Sequence, residues 1–131
     1  MPIRVQRRRT KGWKMPPNTV YVGRGSKWGN PFTVDECRAA GYTGTDAEIA
    51  ARCAEAFRGW LGPHWRNNWD GPVSAIQRRS ILAWIERLRG KNLACWCRLC
   101  ERHKDGLPLG ETCDDCAPCH ADVLLELSNA E

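Results

Sequence analysis

Four cysteines between residues 97 and 116 constrain this chain more than any other feature. Cys97 and Cys100 form one C-x-x-C pair, and Cys113 and Cys116 form a second pair across a short polar loop. Thiolates at this spacing reach one tetrahedral Zn²⁺, with Zn–S distances of about 2.3 Å, and two such pairs close a zinc ribbon or knuckle. The spacing therefore predicts a zinc-binding loop over about residues 97–119.

Further potential ligands crowd the same segment and leave a second allocation open. Cys95 and Cys97 alternate along a predicted strand and face the same side, while Cys119 and His120 lie next to each other at the start of the predicted last helix. In one allocation, the four ribbon cysteines bind a single zinc ion. In the other, Cys95 or Cys97 binds zinc together with Cys119 and His120, and the loop holds a separate site. We favour the ribbon, which has four thiolates and no open position for substrate.

The charge is unevenly distributed along the 131 residues, whose formal net charge is +5. Residues 1–34 contain eight Lys or Arg and no acid, whereas residues 105–131 contain seven acids and no Lys or Arg. A basic amino end and an acidic carboxyl end can attract each other, or the basic end can bind a polyanion; we expect a nucleotide or nucleic acid as the partner. No apolar run approaches a membrane span, and no secretory leader opens the chain, so we expect a cytoplasmic protein with reduced thiols and no membrane partner.

The pattern along the chain predicts one α/β domain over residues 1–131. Residues 3–6, 19–22 and 93–97 read as three short strands, and Thr45 with Glu48 forms a capping box ahead of a helix. A second helix begins at Pro72, with Ile76 and Trp84 on its buried side, and a last helix begins near residues 118–120. The expected fold is a short three-stranded sheet with about three helices and a zinc loop before the last helix. We also expect Trp96 to be buried beneath a helix.

A glycine-rich loop follows the second predicted strand. A strand that runs into a glycine-rich loop can present backbone N–H groups to an anion. The spacing of the glycines matches neither a P-loop nor a dinucleotide fingerprint. We predict phosphate or nucleotide contact here, with Trp28 stacking on a base; the alternative is a tight turn with Trp28 in the core. The expected ligand-binding residues are Arg24, Ser26, Lys27, Trp28 and Asn30.

Cys119 and His120 also suggest catalysis. A thiol at a helix N-terminus has a lowered pKa, which makes Cys119 a candidate nucleophile with His120 or Asp122 as its acid–base partner. Asn30 would orient the substrate. Metal ligation explains Cys119 and His120 with fewer assumptions.

Three motifs together resemble a known family. They are the glycine loop ending in Gly29-Asn30-Pro31-Phe32, the segment Arg89-Gly90-Lys91-Asn92-Leu93-Ala94-Cys95-Trp96-Cys97, and Cys119-His120-Ala121-Asp122-Val123-Leu124-Leu125-Glu126. They are similar to the domain-of-unknown-function 4326 family of bacteriophages and bacteria, over nearly the whole chain. The resemblance implies a small stand-alone domain and no particular reaction.

One departure from the family pattern concerns the zinc loop. Members of the family pass from the Cys-Trp-Cys strand to Cys-His through a shorter turn, whereas this chain carries Cys100, His103, Cys113 and Cys116 there. The resemblance therefore implies that the family's shared chemistry lies on Cys95, Cys97, Cys119 and His120.

These expectations lead to two functions of different classes. One is a zinc-binding α/β protein that contacts a phosphate-bearing ligand through the glycine loop and acts as an enzyme on a nucleoside, nucleotide or DNA base. The other is a non-catalytic nucleic-acid-binding or phage–host interaction module with a structural zinc.

Overall fold

The computed structural model describes residues 2–63 and 72–130. The elements are the strands β1 (Ile3–Gln6), β2 (Thr19–Tyr21), β3 (Asn92–Cys95) and β4 (Leu107–Pro108), and the helices α1 (Val34–Ala39), α2 (Asp46–Leu61), α3 (Pro72–Trp84) and α4 (His120–Asn129). Short 3₁₀ segments cover Ile85–Leu88 and Glu101–His103. None of the helices described is long and apolar enough to cross a membrane.

The strands form one sheet in the order β2-β3-β1-β4. β3 pairs in parallel with both neighbours, with Leu93 opposite Val20 of β2 and Ala94 opposite Val5 of β1, and β4 is antiparallel to β1. Leu93 and Ala94 are fully buried, as expected for a central strand covered on both faces. Because β1, β2 and β3 run the same way, their carboxyl ends share one edge of the sheet.

Helix α2 forms as its sequence predicts. The Thr45 hydroxyl accepts from the Glu48 backbone N–H at 3.2 Å, and the Glu48 carboxylate accepts from the Thr45 backbone N–H at 3.1 Å. The apolar face that follows carries Ile49, Phe57 and Trp60, none of which is exposed. This face packs against α4 and covers the sheet.

The predicted small α/β architecture is confirmed, with two short additions. Helix α1 begins after Thr33, whose hydroxyl accepts from the Glu36 backbone N–H at 3.1 Å. Strand β4 has two residues and lies inside the cysteine-rich loop, and it raises the strand count from three to four. Both elements are too short for a periodic pattern to reveal them.

Three side chains predicted to be buried are exposed: Ile76 by 63%, Trp84 by 39% and Trp96 by 40%. Ile76 lies five residues before the buried Ile81, which places it about 140° away around the helix. Trp84 ends α3 with φ −114° and ψ 0°, outside the helical range, so the periodic pattern does not fix its position. Trp96 follows the last residue of β3 and therefore lies outside the paired part of the sheet. The connecting loop predicted around Trp65 and Trp69 lies outside the described residues.

Candidate functional site

A cavity of about 580 Å³ opens at the carboxyl ends of β2 and β3. This is the edge at which open α/β sheets bind their ligands. Its lining includes three aromatic rings, one arginine and one histidine, and none of the described residues that line it is acidic. The lining side chains include Tyr21, Arg24, Phe32, Trp96, Cys97 and His120.

Three thiols lie together in the wall of this cavity. Cys95 is the last residue of β3, Cys97 follows two positions later, and Cys119 is the N-cap of α4. The three Sγ atoms lie within 4.8 Å of one another and can hold a metal ion. The Cys95 and Cys119 sulfurs are 2.9 Å apart, so a tetrahedral ion, whose S···S edge is about 3.8 Å, requires them to spread by about 0.9 Å.

Hydrogen bonding among these thiols concentrates negative charge on Cys97. Hydrogen bonds from Cys119 and Cys95 lower the pKa of Cys97 to about 3. For Cys95, the hydrogen bond with Cys119 acts to lower the pKa, but the bond to Cys97 and burial outweigh it and raise the pKa to about 12. Burial raises the pKa of Cys119 well above that of a free thiol. These shifts favour the thiolate on Cys97 and the neutral thiol on Cys119, the residue expected to be the nucleophile.

His120 is oriented by the backbone next to the three thiols. Its Nε2 lies 2.7 Å from the Val22 carbonyl oxygen, which only accepts, so Nε2 carries the proton. Burial lowers the pKa of His120 and keeps the imidazole neutral. Nδ1 is therefore unprotonated, and it lies 3.7 Å from the Cys119 sulfur. Nδ1 is therefore a proton acceptor that faces the cluster, within hydrogen-bonding reach of the Cys119 thiol.

A buried arginine compensates the charge of the thiol cluster. Arg4 is 1% exposed, and its guanidinium donates to Asp122 at 2.6 Å and to the Ala117 carbonyl oxygen at 2.7 Å. Its Nε has no hydrogen-bond partner within the described part of the chain. Burial acts to lower the pKa of Arg4, but the nearby Cys119, Asp122 and Cys95 raise it overall. A permanent positive charge is therefore buried beside the three sulfurs.

The cysteine-rich loop forms a second cluster, which consists of Cys100, His103, Cys113 and Cys116, with all four ligand atoms within 4.8 Å of one another. The Cys100 and Cys113 sulfurs are 3.8 Å apart, which equals the edge of about 3.8 Å in a tetrahedral zinc–thiolate site. His103 Nδ1 lies 3.2 Å from the Cys100 sulfur and 3.6 Å from that of Cys116, against an expected N···S edge of about 3.6 Å.

Neighbouring groups orient this loop cluster. His103 Nε2 lies 3.1 Å from a Glu111 carboxylate oxygen, the arrangement that fixes the tautomer of a metal-binding histidine. The Cys100 backbone N–H donates to the Cys116 sulfur at 3.3 Å. Leu99 and Leu107 pack around Cys100 and Cys116. The loop thus has a small core of its own, centred on the four ligands.

The ribbon of Cys97, Cys100, Cys113 and Cys116 is therefore divided between two clusters, as in the second allocation, except that both Cys95 and Cys97 join Cys119 and that His120 is not among the grouped ligands. Cys97 groups with Cys95 and Cys119. In the loop, His103 occupies the ligand position that the predicted ribbon gave to Cys97. The reason is that β3 has ended at Cys95 and directs Cys97 into the cavity, away from the loop. A signal for His103 was available, because Cys100-x-x-His103 repeats the spacing of Cys113-x-x-Cys116.

The residues predicted to bind ligand are separated by the fold. Of the five, Arg24 and Asn30 line the cavity. Ser26 supports the turn, donating to the Gly23 carbonyl oxygen at 2.7 Å. Trp28 is 6% exposed and belongs to the core, which agrees with the alternative of a tight turn and not with base stacking. The Lys27 ammonium lies over the rings of Trp28 and Trp84, at 5.0 and 4.8 Å.

The Asn30 side chain is held in place by two hydrogen bonds to the backbone. Its side-chain N–H₂ donates to the Cys53 carbonyl oxygen at 3.0 Å, and its side-chain oxygen accepts from the Phe32 backbone N–H at 2.9 Å. Both ends of the amide are therefore engaged within the chain. These bonds join the glycine loop to α2 at the rim of the cavity.

Comparison with known proteins gives one match. A family described as "Domain of unknown function (DUF4326)" matches residues 5–130. No curated protein and no solved structure matches the chain.

Proposed function

The chain belongs to the DUF4326 family, and because that description names no reaction, we propose a function from the chemistry of the site. The domain binds two zinc ions. The loop cluster of Cys100, His103, Cys113 and Cys116 is a structural site, and Cys95, Cys97 and Cys119 hold the second ion in the cavity wall, where a nucleotide is bound and processed.

The observation that carries this proposal is the number of protein ligands in each cluster. The loop cluster has four, which fills a tetrahedral ion and leaves no place for substrate. The cavity cluster has three thiols in the wall of a cavity of about 580 Å³. Three protein ligands with a fourth position open to water or substrate are typical of catalytic zinc. Thiolate and imidazole donors favour zinc over magnesium or calcium at both clusters.

The cavity suits a ligand that combines a phosphate with a flat ring. Arg24 is the single permanent charge among the described lining residues, and no carboxylate among the described residues pairs with it. The backbone N–H groups of Arg24 and Gly25 also lack hydrogen-bond partners within the described chain, so they remain available to an anion. Tyr21 and Trp96 supply rings on which a base can stack.

The residues around the open position have separable roles. A zinc ion held by the three sulfurs would supply a Lewis acid that activates water or polarises a substrate carbonyl or amine. His120 Nδ1 accepts the proton released from water, and the Val22 carbonyl keeps the imidazole in the required tautomer. Arg24 holds the phosphate, and Arg4 balances the negative charge of the three thiolates. The reaction class is metal-assisted hydrolysis of a nucleotide or a nucleic-acid base.

Calorimetric titration with AMP, GMP, CMP and TMP tests the proposal. Wild type is expected to bind at least one of them, and Arg24→Ala is expected to weaken that binding about tenfold or more, as for loss of a charge-assisted contact. Arg79→Ala removes the same charge from the exposed face of α3, away from the cavity, and is expected to bind as wild type does.

The enzyme and the binding module differ in turnover. The enzyme is supported if wild type hydrolyses a nucleotide and Cys97→Ser does not, while that variant keeps its fold and the loop zinc. Binding without turnover supports the non-catalytic module. No binding of any of the four nucleotides contradicts the proposal, and so does iron in place of zinc.

A further inference from the structure

The cavity rim carries arginines and aromatic rings in alternation. Arg7 Cζ lies 4.7 Å from the ring centroid of Tyr21 and 5.2 Å from that of Trp96. Arg9 Cζ lies 4.9 Å from the same Trp96 centroid. Tyr21 and Trp96 both line the cavity, so the arginines stacked on them lie at its mouth. We call these four residues the arginine–aromatic rim.

The charges of the rim are unpaired within the described chain. Arg7, Arg8 and Arg9 form no ion pair and no side-chain hydrogen bond with a described residue, and no acid occurs among residues 1–34. A cation–π contact uses no hydrogen-bond acceptor, so the guanidinium N–H groups can still donate. The positive charge is therefore free to bind phosphate.

A large ring is also exposed at this place. Trp96 is 40% exposed, although burying a tryptophan is normally favourable. Aromatic rings interleaved with a basic groove are what proteins use to bind single strands, because every base can stack on a ring whatever its sequence. Arginine planes stack on bases in the same way.

We propose that the arginine–aromatic rim binds a single-stranded nucleic acid, with one base entering the cavity and the flanking phosphates lying on Arg7 and Arg9. This inference rests on the proposed function and narrows its substrate from a free nucleotide to a base within a strand. A mononucleotide has one phosphate, which Arg24 inside the cavity already accommodates. The additional guanidiniums outside the cavity match the phosphates that continue along a strand.

Fluorescence anisotropy with labelled oligothymidylate and oligouridylate of about twelve nucleotides tests the proposal, since single-strand sites cover about 4–16 nucleotides. Wild type is expected to bind at least one strand more tightly than TMP or UMP. Oligothymidylate and oligouridylate distinguish DNA from RNA as the natural strand.

Two rim variants and one control separate the rim from general charge. Trp96→Ala is expected to weaken strand binding about tenfold or more through lost stacking. Arg9→Ala, an exposed side chain whose loss leaves the fold intact, is expected to reduce the slope of log Kobs against log salt by about 0.7 for each lost phosphate contact. Arg79→Ala removes an arginine outside the rim and is expected to change neither quantity.

The outcomes distinguish this inference from the proposed function. If all variants still bind mononucleotides and strands bind no more tightly than mononucleotides do, the proposal for the rim is overturned and the proposed function stands. Strand binding unaffected by both Arg9→Ala and Trp96→Ala also overturns the rim. If wild type binds neither mononucleotides nor strands, both the proposal for the rim and the proposed function are contradicted.

Discussion

The Arg4 guanidinium of β1 donates to the Asp122 carboxylate of α4 at 2.6 Å. The same guanidinium donates to the carbonyl oxygens of Arg98 and Ala117, which lie at the beginning and end of the cysteine-rich loop. One buried side chain therefore joins a strand, both ends of the loop and the first turn of the last helix. Because Cys119 is the N-cap of that helix, the Arg4–Asp122 pair also fixes one sulfur of the cavity cluster.

We expect Asp122→Asn to reduce the free energy of unfolding by about 1.5–3 kcal/mol, the range for a hydrogen bond to a charged group. The amide oxygen can still accept from Arg4, so the variant removes the negative charge alone. The reason is that Arg4 stays charged and buried while its anionic partner is removed. Urea denaturation measures the change. Glu126→Gln is the matched control on the same helix, because the Glu126–Arg58 pair is exposed and is worth less than about 1 kcal/mol. Equal losses in the two variants would contradict a special role for Arg4.

The Glu111–His103 contact predicts a weaker loop metal site in Glu111→Gln. Loss of a carboxylate that orients a metal-binding histidine typically costs about 10–100-fold in metal affinity. Competition with a chromogenic chelator measures this, with Glu101→Gln, an exposed acid in the same loop, as the control. Binding at the cavity cluster should not change. An unaltered loop affinity would show that Glu111 does not orient His103.

The capping box of α2 predicts a pH-dependent contribution to stability. Hydrogen bonds from the Thr45 backbone and side chain lower the pKa of Glu48. A carboxyl whose pKa is lower in the folded state stabilises the fold above its unfolded pKa, and this contribution is lost as the pH falls through the folded value. The difference in Tm between wild type and Glu48→Ala should therefore be larger at pH 7 than at pH 3. A difference that is constant or grows toward acid would contradict the bond.

Asn30 is expected to act as a positioning residue. Asn30→Ala removes the bonds to the Cys53 carbonyl and the Phe32 amide, and should reduce the free energy of unfolding by about 1–3 kcal/mol. Nucleotide affinity should fall with it, because the cavity rim loses its connection to α2. A variant with unchanged stability and selectively reduced turnover would instead make Asn30 a catalytic residue.

Local signals predicted the parts of the fold that depend on neighbouring residues. The Thr45–Glu48 capping box and the apolar face through Phe57 and Trp60 are set by spacing within one helix, and the structure confirms them. Trp84 departs from helical geometry at the end of α3, and no periodic pattern reveals such a departure.

The division of the cysteines could not be read from spacing alone. Cys97 and Cys100 have ideal C-x-x-C spacing, yet they lie in different clusters because the chain turns between them at the end of β3. Sequence spacing reports which ligands can share an ion, whereas the tertiary fold decides which of them do. Cys119 reaches Cys95 only because α4 starts at the carboxyl edge of the sheet, a relationship between residues 24 positions apart.

Zinc content per chain tests the central claim most directly, because it counts the sites and assigns Cys97 to one of them. We expect two zinc ions in wild type, one in Cys97→Ser and one in Cys113→Ser, with none in the double variant. Nucleotide turnover should be lost with the zinc of Cys97→Ser and retained in Cys113→Ser. One zinc in wild type that disappears in either single variant would contradict the account, because Cys97 would then share a single site with Cys113.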